Sequence, residues 1–219
     1  MESLKPNTKY LMDDKKRFLT SLILPVGFLI LIWLIKVCEI VFNLDFTRLG
    51  VYPGSVKGIP GIIFGPMIHA NIKHLMSNSL PVLLLGTGII YFYRKSSYKV
   101  ITIIYIGTGI LDWFFARKAY HIGASGLIYG FVTFLFFSGV IRRDTRAIAL
   151  ALIVTFLYGS IIWGVLPLDS GISWESHLFG SLLGIFCAFV FRGDDPFIKY
   201  EWENEENEEN YENEDHDEG

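Results

Sequence analysis

The segment His121-Ile122-Gly123-Ala124-Ser125-Gly126-Leu127-Ile128-Tyr129-Gly130 sets one serine among small residues at the mouth of an apolar run. Glycine neighbours let the backbone turn sharply and let other groups come close to the hydroxyl. A serine hydroxyl is a weak nucleophile and needs a base within hydrogen-bond reach. His177, in a later apolar segment, is the candidate base. His74 and Asn78 are four residues apart, so on a helix they share a face. Both can donate hydrogen bonds, and donors aimed at one point are what a tetrahedral oxyanion requires. The N–H of Ser125, at a fresh helix N-terminus, would be a third donor. Tyr129 lies one turn deeper and could stack on the imidazole.

Other polar residues have weaker claims. His121 is a rival base because it is close to Ser125 in sequence. His69 could bind substrate backbone or brace the first loop, and bracing is the better fit. Asp112 has no evident partner in the sequence; a hydrogen bond near the outer interface is open to it, and it is assigned no chemistry. No carboxylate is placed to orient His177, so the expectation is a dyad. The histidines show no zinc-ligand spacing such as HExxH, so no metal site is expected. Each residue also has a bland reading, since serine and glycine commonly pack membrane helices and histidines bridge them.

Apolar stretches must position these groups. The chain has 219 residues, is 52% hydrophobic and only 19% charged, which argues for a protein dissolved in lipid. A spanning helix needs roughly 20 apolar residues to cross ~30 Å. Six spans are expected, at 18–37, 68–93, 100–115, 126–141, 147–166 and 176–191. Pro25 falls in the first turns of span one, and Pro81 should kink span two. Residues 38–67 form a long first outer loop with apolar content. The fourth span, about 16 residues or 24 Å, is too short to cross fully, so Ser125 should lie below the outer surface. Gly180 and Gly184 share a face with His177, and Gly126 with Gly130 offers a small-residue surface to match it. Trp163 and Trp174 suit an aromatic belt at the outer boundary, and Trp163 could also belong to a lateral gate.

Basic residues suggest an orientation. With the N-terminus inside, thirteen Lys and Arg fall on the inner side and six on the outer, which puts both termini in the cytoplasm. Three parts result: a basic N-terminus at 1–17, a membrane domain at 18–192 and an acidic, disordered tail at 193–219. Cys38 and Cys187 lie in apolar surroundings and form no disulfide framework. The N-terminus does not look like a removable signal peptide. The tail composition points to a bacterial inner membrane, and nothing suggests nucleic-acid binding.

The blocks His69-Ala70-Asn71-Ile72-Lys73-His74-Leu75-Met76-Ser77-Asn78, Gly123-Ala124-Ser125-Gly126 with Tyr129, and His177-Leu178-Phe179-Gly180 with Gly184 resemble the rhomboid family of intramembrane serine proteases. The likeness covers about 18–191, in the family's order. It implies a six-helix all-α bundle, Ser125 as nucleophile, His177 as general base and acid, and His74 and Asn78 as oxyanion donors. It implies cleavage of other membrane proteins near or within their transmembrane segments, without metal or cofactor, and because an intact helix hides its carbonyls, helix-destabilising residues near the cut are expected. The first loop lacks the Trp-Arg pair of the better-known bacterial members. Two alternatives stay open: a catalytically silent relative that binds membrane helices, and, with less support, a transporter, for which no paired intramembrane charges mark an ion path.

Overall fold

The computed structural model describes residues 8–157, 164, 166 and 173–195. Seven α-helices run through these residues: α1 (Thr8–Val41), α2 (Gly61–Phe64), α3 (Ile72–Phe92), α4 (Ser97–Phe115), α5 (Ser125–Arg142), α6 (Thr145–Leu157) and α7 (Trp174–Val190). Single 3-10 turns at Thr47–Leu49, Val56–Gly58 and Gly65–Met67 shape the loop between α1 and α3. Among the described residues, four segments are long and apolar enough to cross a membrane: Asp14–Val41 of α1, and the whole of α3, α4 and α5. α7 is a shorter apolar helix, and α6 is apolar over the 13 residues described for it.

Local chemistry explains where the helices differ from the expected spans. α3 starts at Ile72 rather than Ile68 because Asn71 caps it, its side-chain oxygen accepting the His74 N–H at 2.8 Å. His69 therefore sits in the loop before the helix, not inside a span. α1 begins at Thr8, so Pro25 lies deep in the helix and not in its first turns. The ring of Pro25 packs against Gly86 of α3, whose missing side chain makes room for it. α3 is continuous through Pro81. α5 stops where Arg143 adopts a left-handed conformation, φ 58°. Asp144 then opens α6 by accepting from the N–H groups of Arg146 and Ala147. Only the first part of the expected fifth span is described, and Trp163 lies outside the described residues, as does the acidic run after residue 195. Asp195, read from sequence as tail, is buried and caps α4, accepting from Lys95 N, Ser96 N and Ser96 Oγ.

α5 is the central post. It packs against α3, α4, α6 and α7. Its Leu127, Ile128, Phe131, Phe134 and Leu135 meet Val82, Leu85 and Ile89 of α3, Ile104 of α4, Ala151 of α6 and Cys187 of α7. Around this core the outward faces remain apolar: Ile23, Ile30 and Leu34 on α1, Phe114 on α4, Phe156 on α6 and Phe186 on α7 are all exposed. A girdle of this kind suits hydrocarbon, not water.

Candidate active site

The first loop holds the turn that precedes α5. Val51 and His121 form an antiparallel bridge, with Val51 N donating to His121 O at 3.0 Å and His121 N to Val51 O at 2.8 Å. Two residues on, Gly123 N donates to Gly65 O at 2.9 Å. Trp113 Nε1 donates to Ser55 O, and Tyr105 Oη to Ile63 O, tying the same loop to α4. Gly123 has φ +106°, a conformation that favours glycine, and a Cβ on it would lie 2.6 Å from His74 Cε1. The chain thus turns tightly under the His74 ring and enters α5 with Ser125 as the first helical residue. The N–H groups of that first turn have no acceptor within the helix.

Glycines let α7 come up against α5. A Cβ on Gly180 would sit 2.1 Å from Gly126 O, and one on Gly184 would sit 2.2 Å from Gly130 O. Near-backbone contact brings the α7 N-terminus beside the α5 N-terminus, and His177 Nε2 lies 2.8 Å from Ser125 Oγ. The other ring nitrogen, Nδ1, lies 2.8 Å from Gly164 O. A carbonyl can only accept, so Nδ1 carries the hydrogen and Nε2 offers its lone pair to the Ser125 hydroxyl. Tyr129 stacks on the imidazole, ring centroids 4.1 Å apart and planes 8° from parallel. Hydrogen bond and stacking together fix the ring's orientation without a carboxylate.

His74 and Asn78 project from α3. Asn78 is 4% exposed, and its buried Nδ2 has no hydrogen-bond partner. A buried, unused donor is unfavourable unless something else accepts from it. His69 supports the serine turn from below: Ala124 N donates to its Nε2 at 3.4 Å. Its ring also meets that of His74 edge-on, centroids 5.0 Å apart. Burial, and then the neighbouring His74, hold the His69 imidazole down from 6.5 to about 3. It is therefore the neutral acceptor that the Ala124 N–H needs.

The structure gives contacts to two residues whose roles the sequence leaves open. Asp112 hydrogen-bonds across the α4–α7 contact, its Oδ2 accepting from Ser176 Oγ at 2.7 Å. His121, the rival base, has its Nε2 against Arg117 O at 3.0 Å and its backbone in the Val51 bridge. Its contacts are those of a loop brace. Gly164 and Ser176 were not singled out from sequence. Gly164 gave no signal, being one glycine in an apolar run. Among the described residues, no group of three His, Cys, Asp or Glu is placed to hold a metal ion.

The sequence profile of the Rhomboid domain matches residues 58–194. A Mycobacterium tuberculosis protein of uncharacterised function is 34% identical over 169 residues, covering 72% of this chain and 70% of its own. A second such protein, from Mycobacterium leprae, is 29% identical over 196 residues, 85% of this chain and 76% of its own. A protein of Acanthamoeba polyphaga mimivirus that is named for a rhomboid assignment is 26% identical over 130 residues, 56% of this chain and 70% of its own. The apolar helices, the buried polar cluster at their ends and these matches lead to one assignment: the chain is an integral membrane protein and belongs to the rhomboid family.

Proposed function

We propose that the chain is an intramembrane serine endopeptidase. The observation that carries this reading is the 2.8 Å contact between Ser125 Oγ and His177 Nε2, with Nδ1 held by Gly164 O. As Oγ attacks a substrate carbonyl, His177 takes its proton at Nε2. The tetrahedral oxyanion receives hydrogen bonds from the Ser125 N–H, the His74 ring and Asn78 Nδ2. His177 then returns the proton to the departing amine. Water, deprotonated in turn by His177, hydrolyses the acyl-enzyme and restores Ser125. No step calls for a metal or cofactor.

The substrate is a membrane protein whose transmembrane segment unwinds near the cut. An intact helix hides its carbonyls in hydrogen bonds, so helix-destabilising residues around the scissile bond favour cleavage. The chain crosses the bilayer six times with both termini in the cytoplasm, on the charge asymmetry above, and resides in a bacterial inner membrane. Ser125 then opens toward the outer face. α5 has 18 residues, about 27 Å at 1.5 Å per residue, which supports a serine just beneath the lipid surface.

Purified protein in detergent, incubated with a transmembrane substrate carrying a Gly-Pro break, tests the reading. Cleavage by wild type and none by Ser125→Ala is expected. Equal cleavage by both would remove Ser125 as the nucleophile, and substrate bound but never cut would favour a helix-binding protein without activity.

A further inference from the structure

Three consecutive residues in the first turn of α7 each bind a different part of the molecule. The Glu175 carboxylate accepts from Arg117 N at 3.3 Å and pairs with the Arg117 guanidinium at 3.2 Å, beyond the end of α4. Ser176 Oγ donates to Asp112 Oδ2 at 2.7 Å, on α4 itself. His177 meets Ser125 of α5 and the Gly164 carbonyl. Successive helical residues point about 100° apart, so three such bonds fan around the axis. They resist rotation of the helix end as well as sliding along it.

Asp112 is the costly member of this set. It is 3% exposed, in a helix apolar enough to span the membrane, and its Oδ1 has no hydrogen-bond partner. A carboxylate in such a place is unfavourable, and one serine hydroxyl does not offset its desolvation. An apolar pair of the same shape would hold α4 and α7 together at least as well. Helix cohesion therefore does not account for the Asp112–Ser176 bond. What the bond does is fix the residue beside His177.

We infer that Asp112 is a positioning residue for His177: through Ser176 Oγ it sets the rotation of the first turn of α7, so that Nε2 stays aimed at Ser125 Oγ. Arg117, through Glu175, is the second tether of the same turn. This inference rests on the protease reading. Its effect falls on the chemical step, because Asp112 and Ser176 are both buried and act through the neighbouring His177.

The test uses the full chain in detergent and measures the rate of fluorophosphonate labelling at Ser125, together with kcat and KM on a transmembrane substrate. Asp112→Leu and Ser176→Ala should each slow labelling and lower kcat by about tenfold to a hundredfold, the loss expected from a misplacement of about 1 Å, with KM little changed. The double variant should be no slower than the worse single, as for two partners of one bond. Asp112→Asn keeps an acceptor oxygen and should recover most of the rate. Ser176→Ala removes a single atom, so its result stands even if Asp112→Leu folds poorly. Labelling of Ser176→Ala at the wild-type rate, a change in KM alone, or an Asp112→Asn variant as slow as Asp112→Leu would overturn the inference. A wild type that is never labelled would overturn the protease reading itself.

Discussion

The carbonyl oxygen of Gly126 occupies the space that a side chain on Gly180 would need: a Cβ there would lie 2.1 Å from it. One turn on, Gly184 stands in the same relation to Gly130. The His177–Ser125 distance is set by these two backbone contacts, since any added atom must push α7 away from α5. Gly180→Ala should therefore lower stability by about 1–3 kcal/mol, as overpacking does. It should also cut proteolysis more than the stability loss accounts for. Thermal melting in detergent beside a cleavage assay checks both. A variant that melts and cleaves like wild type would show that the helices need not touch.

Gly123 and Gly54 separate backbone strain from site geometry. Both have positive φ, +106° and +69°, but a Cβ on Gly54 meets nothing within 4 Å whereas one on Gly123 strikes the His74 ring. Alanine at either position should cost about 1–3 kcal/mol of backbone strain. Only Gly123→Ala should also depress cleavage by folded protein. Equal activity in the two variants would remove Gly123 from the account of the oxyanion site.

Asn78 gives the cleanest probe of transition-state stabilisation. Its Nδ2 is buried without a partner, so Asn78→Ala removes an unused donor from the resting protein. Melting temperature should change little, while kcat should fall by about 10²–10³-fold, the usual loss for one oxyanion donor. A kcat within about twofold of wild type, far below that usual loss, would assign the oxyanion to other groups.

His69 predicts a pH dependence of stability. Burial and the nearby His74 hold it from 6.5 down to about 3. Below the upper value the unfolded chain binds a proton that the folded chain refuses until the lower one. Its contribution is thus fully present above that window and declines as pH falls through it. His69→Gln keeps an acceptor for the Ala124 N–H but does not titrate. Between neutral and mildly acidic pH its melting temperature should fall less steeply than that of wild type. Parallel slopes would contradict the buried neutral role.

The sequence carried the site more plainly than the frame that holds it. Ser125, His177, His74 and Asn78 are polar residues in apolar runs, and that contrast is visible in the sequence alone. The glycine faces of α5 and α7 are likewise legible, because i, i+3 and i+7 spacing fixes which residues share a side. Helix ends were harder. The Asn71 cap competes with an apolar run that continues back to Ile68, and the long α1 hides Pro25 in its interior. Least legible were pairings across the fold. Asp112 and Ser176 are 64 residues apart, and neither carries a local signal of the other. The Val51–His121 bridge depends on a loop whose turns are made by close backbone approach, for which spacing gives no rule. Gly164 contributes a carbonyl, and every residue has one.

The central claim is that His177 activates Ser125, and the site of covalent modification tests it most directly. Purified protein treated with a fluorophosphonate and mapped by mass spectrometry should carry the adduct on Ser125. In His177→Ala the same adduct should form at least about a hundredfold more slowly, the lower range for loss of a general base. An adduct on another residue, or one that forms on Ser125 as fast without His177 as with it, would contradict the account.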